Sequence, residues 1–225
     1  MKKKVCVLLL IAILLTPFIP APAHAASVIL HNGDSLNIDT LNAGDIVQIL
    51  KDTLETPAVT IYSDSGALKD IHINCPEGHV TLQNVHIQCI SAETSAIAFG
   101  SGSTLTLVGE NVLTGYTNWA GVHVADDLSL EITGEGSLTA TGGENGAGIG
   151  GSYYESTPAY YDCGHVTISG GTVTANGGAN AAGIGGAQNG TGGTITITGG
   201  TVTANAGDKG AGIGGGSAGS GGIIT

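Results

Sequence analysis

The sequence predicts an all-β fold: a single-stranded, right-handed parallel β-helix of about six coils, incomplete at its C-terminal end. The first observation is a pentapeptide, Ala-Gly-Ile-Gly-Gly, that occurs at residues 147–151, 182–186 and 211–215. The second is a segment of alternating apolar and hydroxyl residues before each copy, of which residues 166–176 and 195–205 match closely. The two matching segments start 29 residues apart. Repeats of about this length, with short alternating strands and glycine corners, are typical of solenoid turns.

The first 25 residues are typical of a secretory signal peptide. Residues 2–4 are lysines, residues 5–15 form an apolar stretch too short to span a bilayer, and Ala23-His24-Ala25 has the small residues of a cleavage site. We therefore expect a secreted protein, extracellular or in the cell wall, with no membrane insertion after cleavage.

The charge of the predicted mature chain excludes one class of partner. After residue 25 three lysines, Lys51, Lys69 and Lys209, stand against all 18 acidic residues, which gives a net charge of −15. Nucleic-acid binding needs clustered basic residues, and this chain has no arginine. We expect no nucleic-acid partner, and the oligomeric state is left open.

Residues 26–57 contain strand-like pieces without the repeat, and we predict that they cap the open end of the solenoid. The repeats occupy residues 58–225. Their first inward positions are predicted at Val59, Val80, Leu105, Leu130, Val166 and Ile195. An inserted loop at residues 152–163 accounts for the longest spacing between these positions, the 36 residues from Leu130 to Val166. Equivalent strands of adjacent coils lie about 4.8 Å apart, so we expect one ladder of stacked side chains from Ile149, Ile184 and Ile213.

Aromatic residues concentrate at this insertion and in the loop one coil earlier. Trp119 stands where other copies have Gly146, Ala181 or Gly210, so its ring is expected to project from the narrow interior. Two alternatives remain open: a platform on which sugar rings stack, or packing of the loop on the solenoid wall or a partner interface. The predicted carbohydrate-binding residues are Tyr116, Trp119, Tyr153, Tyr154, Glu155, Tyr160 and Tyr161.

Acidic residues offer few catalytic arrangements. Asp126-Asp127 and Gly164-His165 resemble fragments of the polygalacturonase pattern, but the Arg-x-Lys of that pattern is missing. Hydrolysis needs carboxylates that converge on one bond, so no catalytic residue is assigned. Alignment of the coils places Asp126 beside Asp162, and such a pair would offer oxygen ligands to Ca²⁺, the one cofactor that the sequence suggests.

Cys75 and Cys89 end two matched segments, residues 71–75 and 85–89. If these are equivalent strands of adjacent coils, the Cα atoms lie about 4.8 Å apart, within the disulfide range. A disulfide across the coils and a pair of buried thiols remain alternatives.

Outward-facing hydroxyls form a Thr-x-Thr pattern. Ser137 and Thr139 begin the pattern, which continues in two further copies at residues 172/174 and 201/203. This resembles insect-type antifreeze solenoids, although threonine is also a common exposed strand residue.

The repeats also resemble those of large secreted or cell-wall proteins of Gram-positive bacteria. The motifs that carry the resemblance are Gly-Gly-Thr-Val-Thr-Ala-Asn and Ala-Gly-Ile-Gly-Gly, over about residues 80–225. The resemblance implies a pectate-lyase-like fold, and some of these proteins are named carbohydrate-binding domain proteins.

Three functions are therefore expected, in this order. The first is a non-catalytic module that binds polysaccharides or the glycans of host or neighbouring cells, or that spaces an adhesin from the cell surface. The second is a pectin-type hydrolase or lyase, and the third is an ice-binding solenoid.

Overall fold

A computed structural model describes residues 26–50, 56–90, 94–154 and 161–225, and all structural statements below concern these ranges. They form short strands in three sheets, in which every pair of neighbouring strands is parallel. Within the described chain there is no helix long and apolar enough to cross a membrane.

Sheet 1 has eight strands: β1 Ser27–Leu30, β3 Ile46–Ile49, β5 His72–Cys75, β8 Ile97–Phe99, β11 Val122–Val124, β14 Ile149–Gly150, β17 Ile184–Gly185 and β20 Ile213–Gly214. Sheet 2 has eight: β2 Ser35–Asn37, β4 Ala58–Tyr62, β6 His79–Gln83, β9 Ser103–Val108, β12 Ser129–Gly134, β15 His165–Ile168, β18 Thr194–Ile197 and β21 Ile223–Ile224. Sheet 3 has five: β7 His86–Gln88, β10 Glu110–Thr114, β13 Ser137–Thr141, β16 Thr172–Asn176 and β19 Thr201–Asn205.

The chain passes from sheet 1 to sheet 2 to sheet 3 and back, and so forms a parallel β-helix of about seven coils. The prediction was about six coils. The difference arises in the stretch expected to be a cap, because β1, β2 and β3 join the sheets in parallel register and form a first coil.

The interior is a set of aliphatic columns that run along the axis. Strand side chains alternate between the two faces of a sheet, so every second residue points inward. The predicted ladder of Ile149, Ile184 and Ile213 is confirmed by the register of β14, β17 and β20. The predicted equivalence of Leu105 and Leu130 is wrong by two residues. Leu105 pairs with Ile132, and Leu130 pairs with Ser103, whose buried side chain takes an aliphatic position.

Each Ala-Gly-Ile-Gly-Gly copy is a tight bend. The backbone N–H of its alanine donates to the carbonyl of the glycine four residues later, at 3.0 Å from Ala147 to Gly151 and at 3.0 Å from Ala182 to Gly186. The fourth residue has a φ of +129° at Gly150 and +137° at Gly185. Residues with a Cβ atom rarely adopt this backbone conformation, which explains why glycine recurs at this position.

The third side of the first coils is built differently from sheet 3. A 3₁₀ turn, η1 Ile38–Thr40, occupies it in place of a strand. The Asp39 carboxylate accepts hydrogen bonds from both the hydroxyl and the backbone N–H of Ser65 and from the Ser63 hydroxyl. The two serine hydroxyls are the main reason that the pKa of Asp39 falls to about 2.

Candidate functional site

Four aromatic residues gather beside sheet 1 and are here called the aromatic cluster: Trp119, Tyr153, Tyr154 and Tyr161. The rings of Tyr153 and Tyr161 stack with centroids 4.7 Å apart and an interplanar angle of 15°. Trp119 and Tyr154 lie 5.8 Å apart at 39°, and Tyr154 is 43% exposed. The structure therefore brings together the two predicted aromatic segments.

The remaining predicted members of this site have other positions. Tyr116 is partly buried and packs against the hydrophobic core, so its ring offers less free surface to a sugar than that of Tyr154. Glu155 and Tyr160 lie outside the described residues. Trp119 is half-buried rather than fully projecting, because one side of its ring faces His123.

Backbone and amide hydrogen bonds fix the loop of residues 115–120 to its neighbours. The backbone N–H of Tyr153 donates to the Asn118 carbonyl at 2.7 Å. The Asn118 side chain begins a column of amides in which Asn145 donates to Asn118, and Asn180 to Asn145, at 2.7 Å each. The aromatic cluster is thus attached to a hydrogen-bonded column of amides.

A buried serine and histidine lie under the aromatic cluster. The Ser152 hydroxyl lies 3.0 Å from Nδ1 of His123 and accepts a hydrogen bond from the backbone N–H of Ala120 at 2.9 Å. Nδ1 of His123 also lies 3.1 Å from the Gly150 carbonyl. The imidazole ring lies edge to face with the ring of Trp119, and the two ring centroids are 6.2 Å apart.

The network continues towards the N-terminal coils. The Ser95 hydroxyl lies 3.4 Å from that of Ser152, and the Ser95 carbonyl lies 2.6 Å from Nδ1 of His72. A bond from Nδ1–H of His72 to this carbonyl fixes the tautomer of the ring. The polar network therefore spans the outer side of β5, β8, β11 and β14.

Burial sets the protonation of both histidines. Desolvation lowers the pKa of His123 to about 4; the hydrogen bond to Gly150 opposes this shift and the charge of His72 adds to it. Desolvation also lowers the pKa of His72, against the hydrogen bond to Ser95. Both imidazoles are therefore neutral at pH 7.

The pairing of a hydroxyl with an imidazole invites comparison with nucleophilic catalysis. Ser152 is 0% exposed, and its oxygen already accepts the N–H of Ala120. A substrate carbonyl has no approach to this oxygen. The pair instead ties the two aromatic loops to sheet 1.

The predicted ion-binding acids share one corner, between sheets 1 and 2. The charges of Asp126 and Asp162 both act on Cys163, whose pKa rises to about 12, chiefly through burial. Asp162 accepts the backbone N–H of Thr191 at 2.6 Å, and the exposed Asp126 accepts that of Asp127. The described residues contain no group of three or more metal-ligating side chains, and Ca²⁺ binding stays a prediction.

The cysteine alignment needs correction. Cys75 ends β5 in sheet 1, whereas Cys89 directly follows β7 in sheet 3, so the two are not equivalent positions of adjacent coils. Both are free, buried thiols. Desolvation raises the pKa of each to about 12. The matched segments misled the alignment because residues 71–75 and 85–89 belong to different sides of the helix.

Hydroxyl columns extend further than the sequence indicated. The predicted column on sheet 3 is confirmed, since Thr139 pairs with Thr174 and Thr174 with Thr203. A second column on sheet 2 was missed: Ser35, Thr60, Thr81, Thr106 and Thr133 pair in succession. The central threonine in Val59-Thr60-Ile61 and Val80-Thr81-Leu82 was the available signal.

His123 was also missed, although a signal was present. Residues 120–123 read Ala-Gly-Val-His, where the next copy, residues 147–150, reads Ala-Gly-Ile-Gly. The register confirms that His123 pairs with Gly150. A histidine at a glycine position of the repeat was therefore visible in the sequence.

The regular coils match a known family model. The model, described as Beta helix repeat, matches residues 130–153, 166–188 and 195–217. These three segments are similar to beta helix repeats. Each runs from a sheet 2 strand through sheet 3 to the glycine bend of sheet 1, so one repeat is one coil. No curated protein and no solved structure matches the sequence.

Proposed function

We propose that this chain is a non-catalytic, extracellular module that binds polysaccharide through the aromatic cluster. The observation that supports the proposal best is the contact between Trp119 and Tyr154, which places an exposed ring beside a half-buried one at the surface. Tyrosine and tryptophan offer flat apolar faces with polar edges, which suit the faces and hydroxyls of sugar rings.

The surroundings of the cluster favour a neutral glycan. The amides of Asn118, Asn145 and Asn180 form a column that begins in the loop that carries Trp119, and all three are partly exposed. Amides both donate to and accept from hydroxyl groups. Because the predicted mature chain carries 18 acidic residues and three lysines, a polyanionic sugar would be repelled.

Replacement of Tyr154 or Trp119 by alanine is expected to weaken binding to an insoluble polysaccharide by roughly 30-fold, the effect of a loss of about 2 kcal/mol at an aromatic contact. Depletion from solution over a panel of insoluble polysaccharides measures this effect. The matched control is Tyr62→Ala, because Tyr62 lies on sheet 2. Equal losses for Tyr62→Ala and Tyr154→Ala, or no binding by the unaltered chain, would contradict the proposal.

Ice binding is the second candidate, favoured by the hydroxyl face of sheet 3. Ser137, Thr172 and Thr201 form one column in register, and Thr139, Thr174 and Thr203 form the next. The hydroxyls repeat about every 4.8 Å across the strands and about 6.7 Å along them. The sheet 2 face is less uniform, because Glu131 pairs with Thr104 and Thr167 within it.

The ice-binding candidate predicts thermal hysteresis that Thr172→Leu abolishes, since an isobutyl group removes a hydroxyl and disturbs the flat array. Thr81→Leu on sheet 2 is the control and should retain the activity. Nanolitre osmometry of the unaltered chain decides the matter, and zero hysteresis eliminates this candidate.

A further inference from the structure

We propose that His123 and Ser152 form an acid-sensitive latch: the neutral pair holds the two aromatic loops on sheet 1, and protonation of His123 releases them. The segments concerned are residues 119–120 and 152–154, because Asn118 stays bonded to the column of amides. Release changes the position of Trp119 and Tyr154, which the proposed function assigns to glycan contact, and that consequence rests on the proposed function.

The latch joins both loops at their anchored ends. Ala120 directly follows Trp119, and its N–H donates to the Ser152 hydroxyl at 2.9 Å. Ser152 directly precedes Tyr153, and the same hydroxyl lies 3.0 Å from Nδ1 of His123. One buried oxygen therefore connects the end of the first loop, the start of the second and the imidazole of β11.

Two departures from the repeat meet at this point. Trp119 replaces the small residue found at Gly146, and His123 replaces the glycine found at Gly150, both in the same coil. The rings of these two side chains lie edge to face, with their centroids 6.2 Å apart. The two departures from the repeat thus lie side by side, which supports a joint role.

The groups around the His123 imidazole disfavour its protonation. His72, on β5 of the same sheet, disfavours a positive charge on His123 and has its own pKa lowered by burial. The Ser95 carbonyl and the Thr94 hydroxyl both lie within hydrogen-bond distance of Nδ1 of His72. From the loop side, the ionisable Tyr154 reaches the network through Trp119. Protonation of both histidines therefore places two like charges in a poorly hydrated region.

The pH dependence of loop opening has a defined direction. The pKa of His123 is about 4 in the closed loops and 6.5 for a solvated histidine. Nδ1 of His123 faces the Gly150 carbonyl and so carries the proton of the neutral ring, and the second proton enters at Nε2. Between these pH values the open form holds that second proton and the closed form does not, so acid favours opening. The ratio of open to closed loops rises about tenfold for each pH unit below 6.5, up to roughly 300-fold near pH 4.

Trp119 is the only tryptophan of the chain and reports directly on the latch. Its emission maximum and acrylamide quenching are recorded from pH 7.5 to 4, with far-ultraviolet circular dichroism to confirm that the sheets persist. We expect a red shift and stronger quenching as the pH falls below 6.5, at constant circular dichroism. His123→Gln should reduce the change in quenching to less than twofold, whereas His165→Gln, at an exposed histidine, should retain it.

Two further variants sharpen the test. His72→Gln removes the neighbouring charge, so the midpoint of the Trp119 transition should move to higher pH. Ser152→Ala should give a tryptophan that is quenched readily even at pH 7.5. Unchanged quenching of the unaltered chain from pH 7.5 to 4 overturns the latch whether or not His123→Gln folds, and so does an identical transition in a folded His123→Gln.

Binding to the polysaccharide panel at pH 7 and pH 4.5 separates the latch from the proposed function. Loss of binding at pH 4.5 in the unaltered chain but not in His123→Gln supports both. A Trp119 transition without glycan binding at any pH leaves the latch intact and refutes the proposed function. Binding that is independent of pH, together with a normal Trp119 transition, refutes only the regulation of the site.

Discussion

Gly185→Ala is expected to lower the free energy of unfolding by about 3 kcal/mol or more. Backbone strain at a φ of +137° contributes of order 1–3 kcal/mol for a residue with a side chain. The added Cβ would also overlap the carbonyl oxygen of Gly214 in the next coil, and this atom belongs to the backbone of a paired strand. Relief therefore requires the separation of two coils.

Chemical denaturation followed by circular dichroism measures this loss. Gly221→Ala is the matched control, since a Cβ there meets no atom within 4 Å and φ is not in the positive range. Its effect should stay within about 0.5 kcal/mol, as for most surface substitutions. Similar stabilities for the two variants would mean that the glycine bends tolerate side chains and that the register of sheet 1 is wrong.

Asn111→Leu is expected to destabilise the protein by about 2–4 kcal/mol, although leucine is what the repeat pattern favours there. Asn111 is fully buried and pairs with Leu138, which pairs with Val173. Its amide accepts the N–H of Val85 at 3.0 Å and donates to the carbonyls of Val108 and Ser137. Each buried group left without a partner costs about 1–3 kcal/mol, and the added apolar contact offsets part of this.

The same denaturation measurement applies, with Asn205→Leu as control. Asn205 is exposed at the end of β19 and its side chain donates one hydrogen bond, to Asn176. Its replacement should cost less than about 1 kcal/mol. A stabilised Asn111→Leu would show that the aliphatic column matters more at this position of β10 than the three amide hydrogen bonds.

The fold was predictable because the repeat encodes it locally. Alternation in residues 166–168 and 195–197 fixes which side chains face inward, and the glycine bends set the corners, so like residues stack in register. The first coil was not predictable in the same way. Its third side is a 3₁₀ turn held by Asp39, and the serines that bind this carboxylate lie one coil later, at residues 63 and 65.

The candidate site was predictable only in part. The association of Tyr153 and Trp119 followed from the coil spacing, which places residues about 27–35 apart in sequence side by side. Ring-to-ring contacts and the burial of Ser152 depend on side-chain packing, which no spacing specifies. The cysteine alignment failed for a related reason: two similar strands of one coil look the same in sequence as one strand in two coils.

The asparagine column has a direction. Asn180 donates to Asn145 and Asn145 to Asn118, and on the neighbouring column Asn205 donates to Asn176, so every amide points its N–H towards the N-terminal coils. The aligned amide dipoles give the side of the solenoid a positive pole at its N-terminal end and a negative pole at its C-terminal end. Reversal of one amide breaks the bonds on both sides, so the column polarises as a unit.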